Sequence, residues 1–140
     1  MIVIVVLDDK DGMMFNQRRQ SQDQVLRDKI LALSKEKLLW MNEYTAKQFP
    51  VVEDWVRIDP DFLQKVGPGE YCFVENQNLT QVASKIEKMI LFKWNRRYPG
   101  DLFLDIKPKM LGMACSSTCE FEGSSHEKIT MELWEFLVKE

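Results

Sequence analysis

The chain has 140 residues, of which 45% are hydrophobic and 11% aromatic, and this predicts one ordered domain over residues 1–140. A net charge of −3 and a pI near 5.3 exclude an overall positive field that would recruit nucleic acid or anionic lipid. The apolar run from Met1 to Leu7 is too short to span a membrane and lacks the basic start of a signal peptide. Three cysteines, an odd number, and no sign of export indicate reduced thiols and a cytoplasmic protein.

The first half of the chain alternates between predicted strands and helices. Residues 2–7 are nearly all β-branched, which predicts a strand covered on both faces as in parallel sheets. A long loop, residues 8–19, is expected next. Ser21 then has the sequence features of an N-cap, with Gln24 closing a capping box, so an amphipathic helix is predicted over 22–34. Further predictions are strand 38–41, helix 43–49, strand 51–56, helix 60–66, strand 70–74, helix 79–88 and strand 89–94.

The pattern changes after the turn at residues 98–101. Residues 110–121 and 129–138 predict two long strands with no helix between them, which indicates an antiparallel hairpin. The predicted fold class is therefore α/β, a three-layer sandwich whose mostly parallel mixed sheet ends in a C-terminal antiparallel hairpin. Residues 2–7 should form an internal strand, with strands near 38–41, 70–74 and 88–94 parallel to it.

Three segments occur in an order typical of one enzyme family. Ile2–Leu7 is followed by Gly12-Met13, residues 39–45 read Leu-Trp-Met-Asn-Glu-Tyr-Thr, and residues 71–94 read as strand, turn, helix and strand. Asp101 and Phe103 then stand where that family has "G-D-x-x-F-P". In this order the segments resemble dihydrofolate reductase. The resemblance covers nearly the whole chain and implies that fold, with a cleft at the carboxyl ends of the strands.

The residues that would hold the cofactor depart from the family pattern. The turn that needs two glycines near the cofactor phosphates has Glu75 and Asn76 here. The family's cofactor-contacting arginine corresponds to Glu43, and the glycine before it to Asn42. Because Glu43 and Glu75 would be uncompensated carboxylates near phosphates, we expect no NADPH cofactor and no reductase activity.

Other family positions are also altered. The substrate-holding threonine corresponds to Leu102, and residues 49–55 are too few for the strand and helix that hold the cofactor's adenosine. The acidic proton-relay residue of the family corresponds to Asp23. A carboxylate is also common in the first turn of a helix, and we favour that interpretation of Asp23.

The remaining candidates for chemistry are few. His126 is the only histidine, so a binuclear metal hydrolase, which needs several, is excluded and no metal site is expected. A serine–histidine nucleophile using Ser21, Ser124 or Ser125 is conceivable, but a simple connection between two strands is the favoured interpretation of the Gly-Ser-Ser loop before His126. Cys115 and Cys119 would share one face of a strand about 13 Å apart, too far for a disulfide.

Two arginine pairs, Arg18-Arg19 and Arg96-Arg97, lie in predicted loops. Solvated loop residues are the ordinary interpretation, although arginine beside aromatics and amides also holds phosphate, carboxylate or an unstacked base. Several polar residues fall at the carboxyl ends of strands, where open α/β sheets bind ligands. The candidate ligand-binding residues are Asn16, Arg18, Arg19, Asn42, Glu75, Asn76 and His126.

The expected function is a dihydrofolate-reductase-like domain without reductase activity that binds a small anionic or polar ligand in the remnant cleft. One alternative is a structural or protein-interaction module that pairs as a homodimer through an exposed sheet edge. The other is an enzyme of unknown reaction that uses Arg18, Glu75 and His126. No nucleic-acid or membrane partner is expected.

Overall fold

Strands dominate the structure, a computed structural model that describes residues 1–137. The predicted end of the last strand, residue 138, and the last residues of the predicted domain lie outside the described residues. In chain order the elements are β1 (Ile2–Leu7), β2 (Gly12–Phe15), β3 (Arg18–Arg19), α1 (Gln24–Ser34), β4 (Leu39–Met41), α2 (Glu43–Ala46), β5 (Val56–Ile58), α3 (Phe62–Lys65), β6 (Tyr71–Phe73), a 3₁₀ segment (Thr80–Lys85), β7 (Lys88–Lys93), β8 (Leu102–Phe103), a second 3₁₀ segment (Pro108–Leu111), β9 (Met113–Phe121) and β10 (Ile129–Phe136).

The main sheet has seven strands in the order β5-β4-β6-β1-β7-β10-β9. β1 lies in its centre, parallel to both β6 and β7, and β4 and β5 continue the parallel arrangement. β10 runs antiparallel to β7, and β9 runs antiparallel to β10. The predicted internal first strand, its parallel neighbours and the terminal antiparallel hairpin are therefore confirmed. A small second sheet has the order β3-β2-β8.

Two hydrophobic clusters cover the two faces of this sheet. Side chains alternate along β1, so Val3 faces one cluster and Ile4 the other. Ile30 of α1 packs on the face of Ile4, while Phe62 of α3 and Val82 of the first 3₁₀ segment pack on the face of Val3. Helical segments thus lie on both faces. Within residues 1–137, no helix has the length and apolar character needed to cross a membrane.

Several predicted elements differ in the structure. The predicted loop 8–19 contains the β2–β3 hairpin, and the predicted strand 51–56 is displaced to β5 because Val51 and Val52 are more than half exposed. The predicted helix 79–88 is a 3₁₀ segment, and the predicted helices 43–49 and 60–66 are one-turn helices. Apolar residues in these short stretches indicate burial more reliably than they indicate element type.

The N-cap prediction for α1 is wrong. Asp23, not Ser21, caps the helix, and its Oδ1 accepts a hydrogen bond of 3.0 Å from the Leu26 N–H. The helix therefore begins at Gln24 instead of residue 22. A carboxylate and a serine hydroxyl are equally good caps, so the contacts of Asp23 with the distant residue Ser125 decide between them.

The prediction that Cys115 and Cys119 share a face is also wrong. Cys119 pairs with Met131 across the β9–β10 ladder, but the register shifts by one residue, so Cys115 pairs with Trp134. Met131 and Trp134 pack on opposite faces of the sheet. A bulge at Ser116 breaks the alternation of β9 and places the two cysteines on opposite faces. Both are free thiols, as is the buried Cys72.

Candidate functional site

The β2–β3 hairpin and the loop after β7 (residues 95–101) form the two walls of an open cleft of about 550 Å³. The structure brings three of the candidate residues together here, Asn16, Arg18 and Arg19. The full lining is Phe15, Asn16, Arg18, Arg19, Gln20, Tyr98 and Pro99.

A two-residue turn projects the arginines of β3. Asn16 and Gln17 have φ values of 50° and 61°, the left-handed geometry that tight hairpins require. The Asn16 N–H donates to Oδ2 of Asp101 at 3.1 Å, which ties the turn to the opposite wall. Across the hairpin Phe15 pairs with Arg18, so the arginines sit directly beside the turn.

Arg19 is neutralised by Glu75. Its Nε and Nη2 donate to the two carboxylate oxygens of Glu75 at 3.0 and 3.1 Å. The guanidinium also lies 4.5 Å from the ring centre of Tyr44 and donates to the Tyr44 carbonyl. Burial opposes the charge of Arg19, but the Glu75 carboxylate more than offsets this and raises the Arg19 pKa. The expectation that Glu75 is an uncompensated carboxylate is therefore wrong.

Asn42 and Asn76 bond to each other at the ends of β4 and β6. The Asn42 side-chain amide donates to Oδ1 of Asn76 at 2.9 Å, while the Asn42 Oδ1 caps α2 by accepting from the Thr45 N–H. Asn76 also lines a second cleft, of about 490 Å³, on the other side of the β2–β3 hairpin. Glu43, the first residue of α2, is exposed.

Arg18 differs from its neighbour because no carboxylate within residues 1–137 pairs with it. Its side chain is exposed, and within the described part of the chain it forms no ion pair. Arg96 and Arg97 are also exposed, but they lie outside the cleft lining. Arg18 is thus the cationic group that the cleft offers to a ligand.

His126 lies behind the cleft wall, in the loop that joins β9 to β10. It is 5% exposed and stacks on Trp94, with ring centres 4.3 Å apart. Its Nε2 is 2.7 Å from the Tyr98 hydroxyl oxygen, and its Nδ1 is 2.7 Å from Oγ of Ser125. Of the three residues in the proposed enzyme alternative, only Arg18 lines the cleft, since Glu75 pairs with Arg19 and His126 lies behind Tyr98.

The same hairpin loop, residues 122–128, closes over the N-terminus of α1. Oδ2 of Asp23 accepts from the Ser125 N–H at 2.7 Å and from the Ser125 hydroxyl at 2.9 Å, and the Ser124 Oγ accepts from the Gln24 N–H. Gly123 is required for this approach, since a Cβ there would lie 2.3 Å from Asp23 Oδ2. Burial alone would raise the pKa of Asp23, but the N–H groups of Ser125, Leu26 and Ser124 hold it well below its usual range.

These contacts explain why Asp23 rather than Ser21 caps the helix. The carboxylate also holds the hairpin loop, a role no local pattern indicates. The interpretation of Asp23 as a carboxylate within the first turn of the helix is therefore off by one position, since Asp23 is the N-cap and its carboxylate accepts hydrogen bonds from two segments.

Ser125 and His126 touch, but the order of groups differs from that of a nucleophilic triad. In a triad the carboxylate orients the histidine, whose other nitrogen contacts the serine. Here the carboxylate contacts Ser125, and the second histidine nitrogen contacts Tyr98. The arrangement therefore suits a structural connection between strands.

Two residues of this region were missed in the sequence. Gln20 lines the cleft and donates to Oδ2 of Asp8 and to the Pro99 carbonyl. Its Oε1 is buried and has no hydrogen-bond partner among residues 1–137. Tyr98 lines the cleft and bonds His126. Tyr98 adjoins the Arg96-Arg97 pair, a signal that would have drawn attention to it, whereas Gln20 has none.

No protein-family model matches this sequence, and a search of curated proteins finds no match either. Among residues 1–137, no group of three or more histidine, cysteine, aspartate or glutamate side chains is placed to hold a metal ion.

Proposed function

We propose that this chain is a dihydrofolate-reductase-like domain without reductase activity that binds a small anion at Arg18. The central position of β1, its parallel neighbours and the terminal hairpin support the family assignment. The single observation that carries the binding proposal is the contrast between two adjacent arginines. Arg19 is neutralised by Glu75, while Arg18 lines the same cleft and forms no ion pair with any residue in the described range 1–137.

The altered turn supports the loss of reductase activity. Phosphates bind where glycines let the backbone approach closely. Here the Glu75 side chain and the Arg19 guanidinium occupy the end of β6, and the Asn42–Asn76 pair lies beside them. Because Glu75 is paired with Arg19, these side chains oppose a phosphate by occupying its place and not by charge repulsion.

Calorimetric titration with sulfate and pyrophosphate tests the binding proposal. We expect Arg18→Ala to weaken binding about tenfold or more, the loss typical of one charge-assisted contact. Arg97→Ala is the matched control, because it removes an equally exposed arginine outside the cleft lining and should change affinity little. Equal losses in both variants would indicate a general charge effect and contradict a site at Arg18.

NADPH provides the complementary test. No binding is expected at millimolar cofactor, because the turn is filled by side chains. Micromolar affinity would mean that the Arg19–Glu75 pair opens to admit the dinucleotide, and the proposed loss of cofactor binding would be wrong.

A second candidate function, homodimer formation, is favoured by the outer strand β9. This edge strand has nine residues, with side chains 115–120 all exposed. It contains no proline, lysine or arginine, the residues that commonly protect sheet edges, and its one charge is Glu120. Beyond the bulge at Ser116, two copies can pair antiparallel about Cys119, with each Glu120 opposite Thr118 of the other copy instead of a like charge.

Sedimentation analysis tests this second candidate. Thr118→Lys should abolish a dimer by charging the edge, while Gln64→Lys, on the exposed side of α3, makes the same charge change elsewhere and should not. Mild oxidation should cross-link the pair through Cys119, so Cys119→Ser should prevent the cross-link and Cys115→Ser should not. A monomer at every concentration would contradict this function.

A further inference from the structure

Tyr98 joins the cleft to a buried hydrogen-bonded chain. Tyr98 lines the cleft together with Arg18, and its hydroxyl oxygen lies 2.7 Å from Nε2 of His126. Nδ1 of His126 is 2.7 Å from Oγ of Ser125, which is 2.9 Å from Oδ2 of Asp23. This series of hydrogen bonds therefore runs from the cleft wall to the N-cap of α1.

The donors in this chain can be assigned from chemistry. Asp23 is ionised and only accepts, and Ser125 has a single hydroxyl hydrogen, which it can give to Asp23 or to the Gln22 carbonyl 2.6 Å away. Nδ1 of His126 then carries hydrogen and donates to Ser125, which leaves Nε2 to accept from the Tyr98 hydroxyl. Neutral His126 thus holds the Tyr98 hydrogen directed toward itself.

A second proton on His126 reverses the direction of its hydrogen bond with Tyr98. Nε2–H becomes a donor, so the Tyr98 oxygen must accept and its hydrogen must turn away from His126. At the same time a positive charge appears directly behind the residue that lines the cleft. Both changes favour an anion held at Arg18.

Several groups around His126 set how readily this happens. Burial lowers the His126 pKa, Asp23, with Oδ2 3.8 Å from Nδ1, raises it, and Arg96 in the loop after β7 lowers it further. Trp94 stacks on the ring from β7's end and adds no charge. The net direction is downward, so the pKa of His126 lies below its ordinary value of 6.5 and the ring is mostly neutral at pH 7.

We propose that His126 is a positioning residue of the cleft, acting through Tyr98, so that anion binding at Arg18 and protonation of His126 strengthen each other. The proposal rests on the proposed function, since it concerns the same anion. The coupling is reciprocal by thermodynamic necessity, because an anion that binds the protonated form more tightly must raise the His126 pKa by the same factor.

NMR titration of the ring protons tests the coupling in the unaltered chain, because His126 is the only histidine. Sulfate is the probe, since it keeps its charge across the range, and sodium chloride at equal ionic strength is the control. Sulfate should raise the His126 pKa relative to chloride, and sulfate should bind about fivefold more tightly to the protonated form, the lower end of usual coupling factors.

Two variants separate the possible results. Tyr98→Phe removes the hydroxyl that His126 reorients, so it should reduce both the pKa response of His126 and the gain in sulfate affinity on acidification. His126→Gln should make sulfate affinity nearly independent of pH between about pH 5 and pH 8. Sulfate that binds wild type and is lost in Arg18→Ala, but leaves the His126 pKa at its chloride value, would overturn the coupling and leave the proposed function intact. Sulfate that fails to bind wild type at any pH would overturn the proposed function itself.

Discussion

Two hairpins contact the 95–101 loop from opposite sides, and they differ in whether their polar side chains have partners within the protein. The β9–β10 loop directs Ser124, Ser125 and His126 into contacts with α1 and Tyr98, and each finds a partner. The β2–β3 hairpin instead presents Arg18 to solvent beside a cleft. Residue type alone therefore does not identify a ligand site at strand ends. The distinguishing property is whether a polar side chain has a partner within the chain.

Arg18 and Arg19 show the same contrast over a single peptide bond. Side chains on a strand alternate in direction, so neighbouring arginines meet different surroundings. One reaches Glu75 and Tyr44, and the other remains exposed.

The largest effect is expected from removing the carboxylate that closes the β9–β10 loop. Asp23→Ala should lower the free energy of unfolding by about 3 kcal/mol, combining a lost helix cap with unpaired buried N–H groups. Urea denaturation followed by circular dichroism measures it. Asp23→Asn keeps a cap acceptor and should lose clearly less. Equal, small losses in both variants would show that the loop is held by other contacts.

Acidification should weaken the same region in two stages. His126 has a lowered pKa when folded, so the stability it contributes is complete above its unfolded value and is lost as pH falls through its folded value. Asp23 also has a lowered pKa, so its contribution is present above its unfolded value of 3.8 and is lost at still lower pH. The Asp23 stage should cost on the order of 2 kcal/mol between about pH 4 and pH 2, and the His126 stage adds to this loss as pH falls below the ordinary histidine value of 6.5.

Urea midpoints measured across that range provide the check. Asp23→Asn should remove the lower stage and keep the upper one, whereas His126→Gln should do the reverse. A wild-type profile that both variants reproduce unchanged would contradict the assignment of these groups.

Removing the carboxylate of Glu75 should leave the charge of Arg19 free to attract an anion, as the charge of Arg18 is. Glu75→Gln leaves a partly buried guanidinium without its carboxylate, so the free energy of unfolding should fall by about 1 kcal/mol, between the exposed and buried limits for ion pairs. Because Arg19 also lines the cleft, sulfate affinity should rise about threefold. Calorimetry would contradict the proposal if affinity were unchanged or lower.

The sheet could be predicted from sequence because its strands are long or continuously apolar. Residues 2–7 carry a burial pattern that only a central strand satisfies, and the terminal hairpin has two long stretches without helical periodicity. The short helices and strands were harder to predict from the sequence, because a few apolar residues fit either element. The bulge at Ser116, which separates Cys115 from Cys119, has no glycine or proline to indicate it.

The sequence did not indicate which candidate residues have partners within the chain. Asn16, Arg18 and Arg19 line one cleft, whereas the other four candidates lie outside its lining. The pairing of Arg19 with Glu75 joins residues 56 positions apart, and Ser125 reaches Asp23 across 102 positions. No local pattern encodes such contacts, so free and paired side chains look alike in the sequence.

The smallest effect concerns the turn that presents Arg18. Gln17 has a φ of 61°, where a side chain is strained and glycine is not. Gln17→Gly should relieve this strain but add freedom to the unfolded chain, so a net stabilisation of about 0.5 kcal/mol is expected. Gln64→Gly is the matched control, because Gln64 lies in α3, where the same change should destabilise by about 1 kcal/mol.

Sulfate titration of Gln17→Gly then tests whether sulfate affinity at Arg18 depends on the side chain and rigid backbone of residue 17. Gln17 is absent from the lining of the Arg18 cleft, so the affinity should stay within about twofold of wild type if the hairpin keeps its register. A loss as large as that of Arg18→Ala, in a variant that is more stable, would mean that the rigidity of Gln17 holds Arg18 in place. The position of Arg18 would then depend on the strained turn, just as the position of His126 depends on the hydrogen bonds of the β9–β10 loop that contains it.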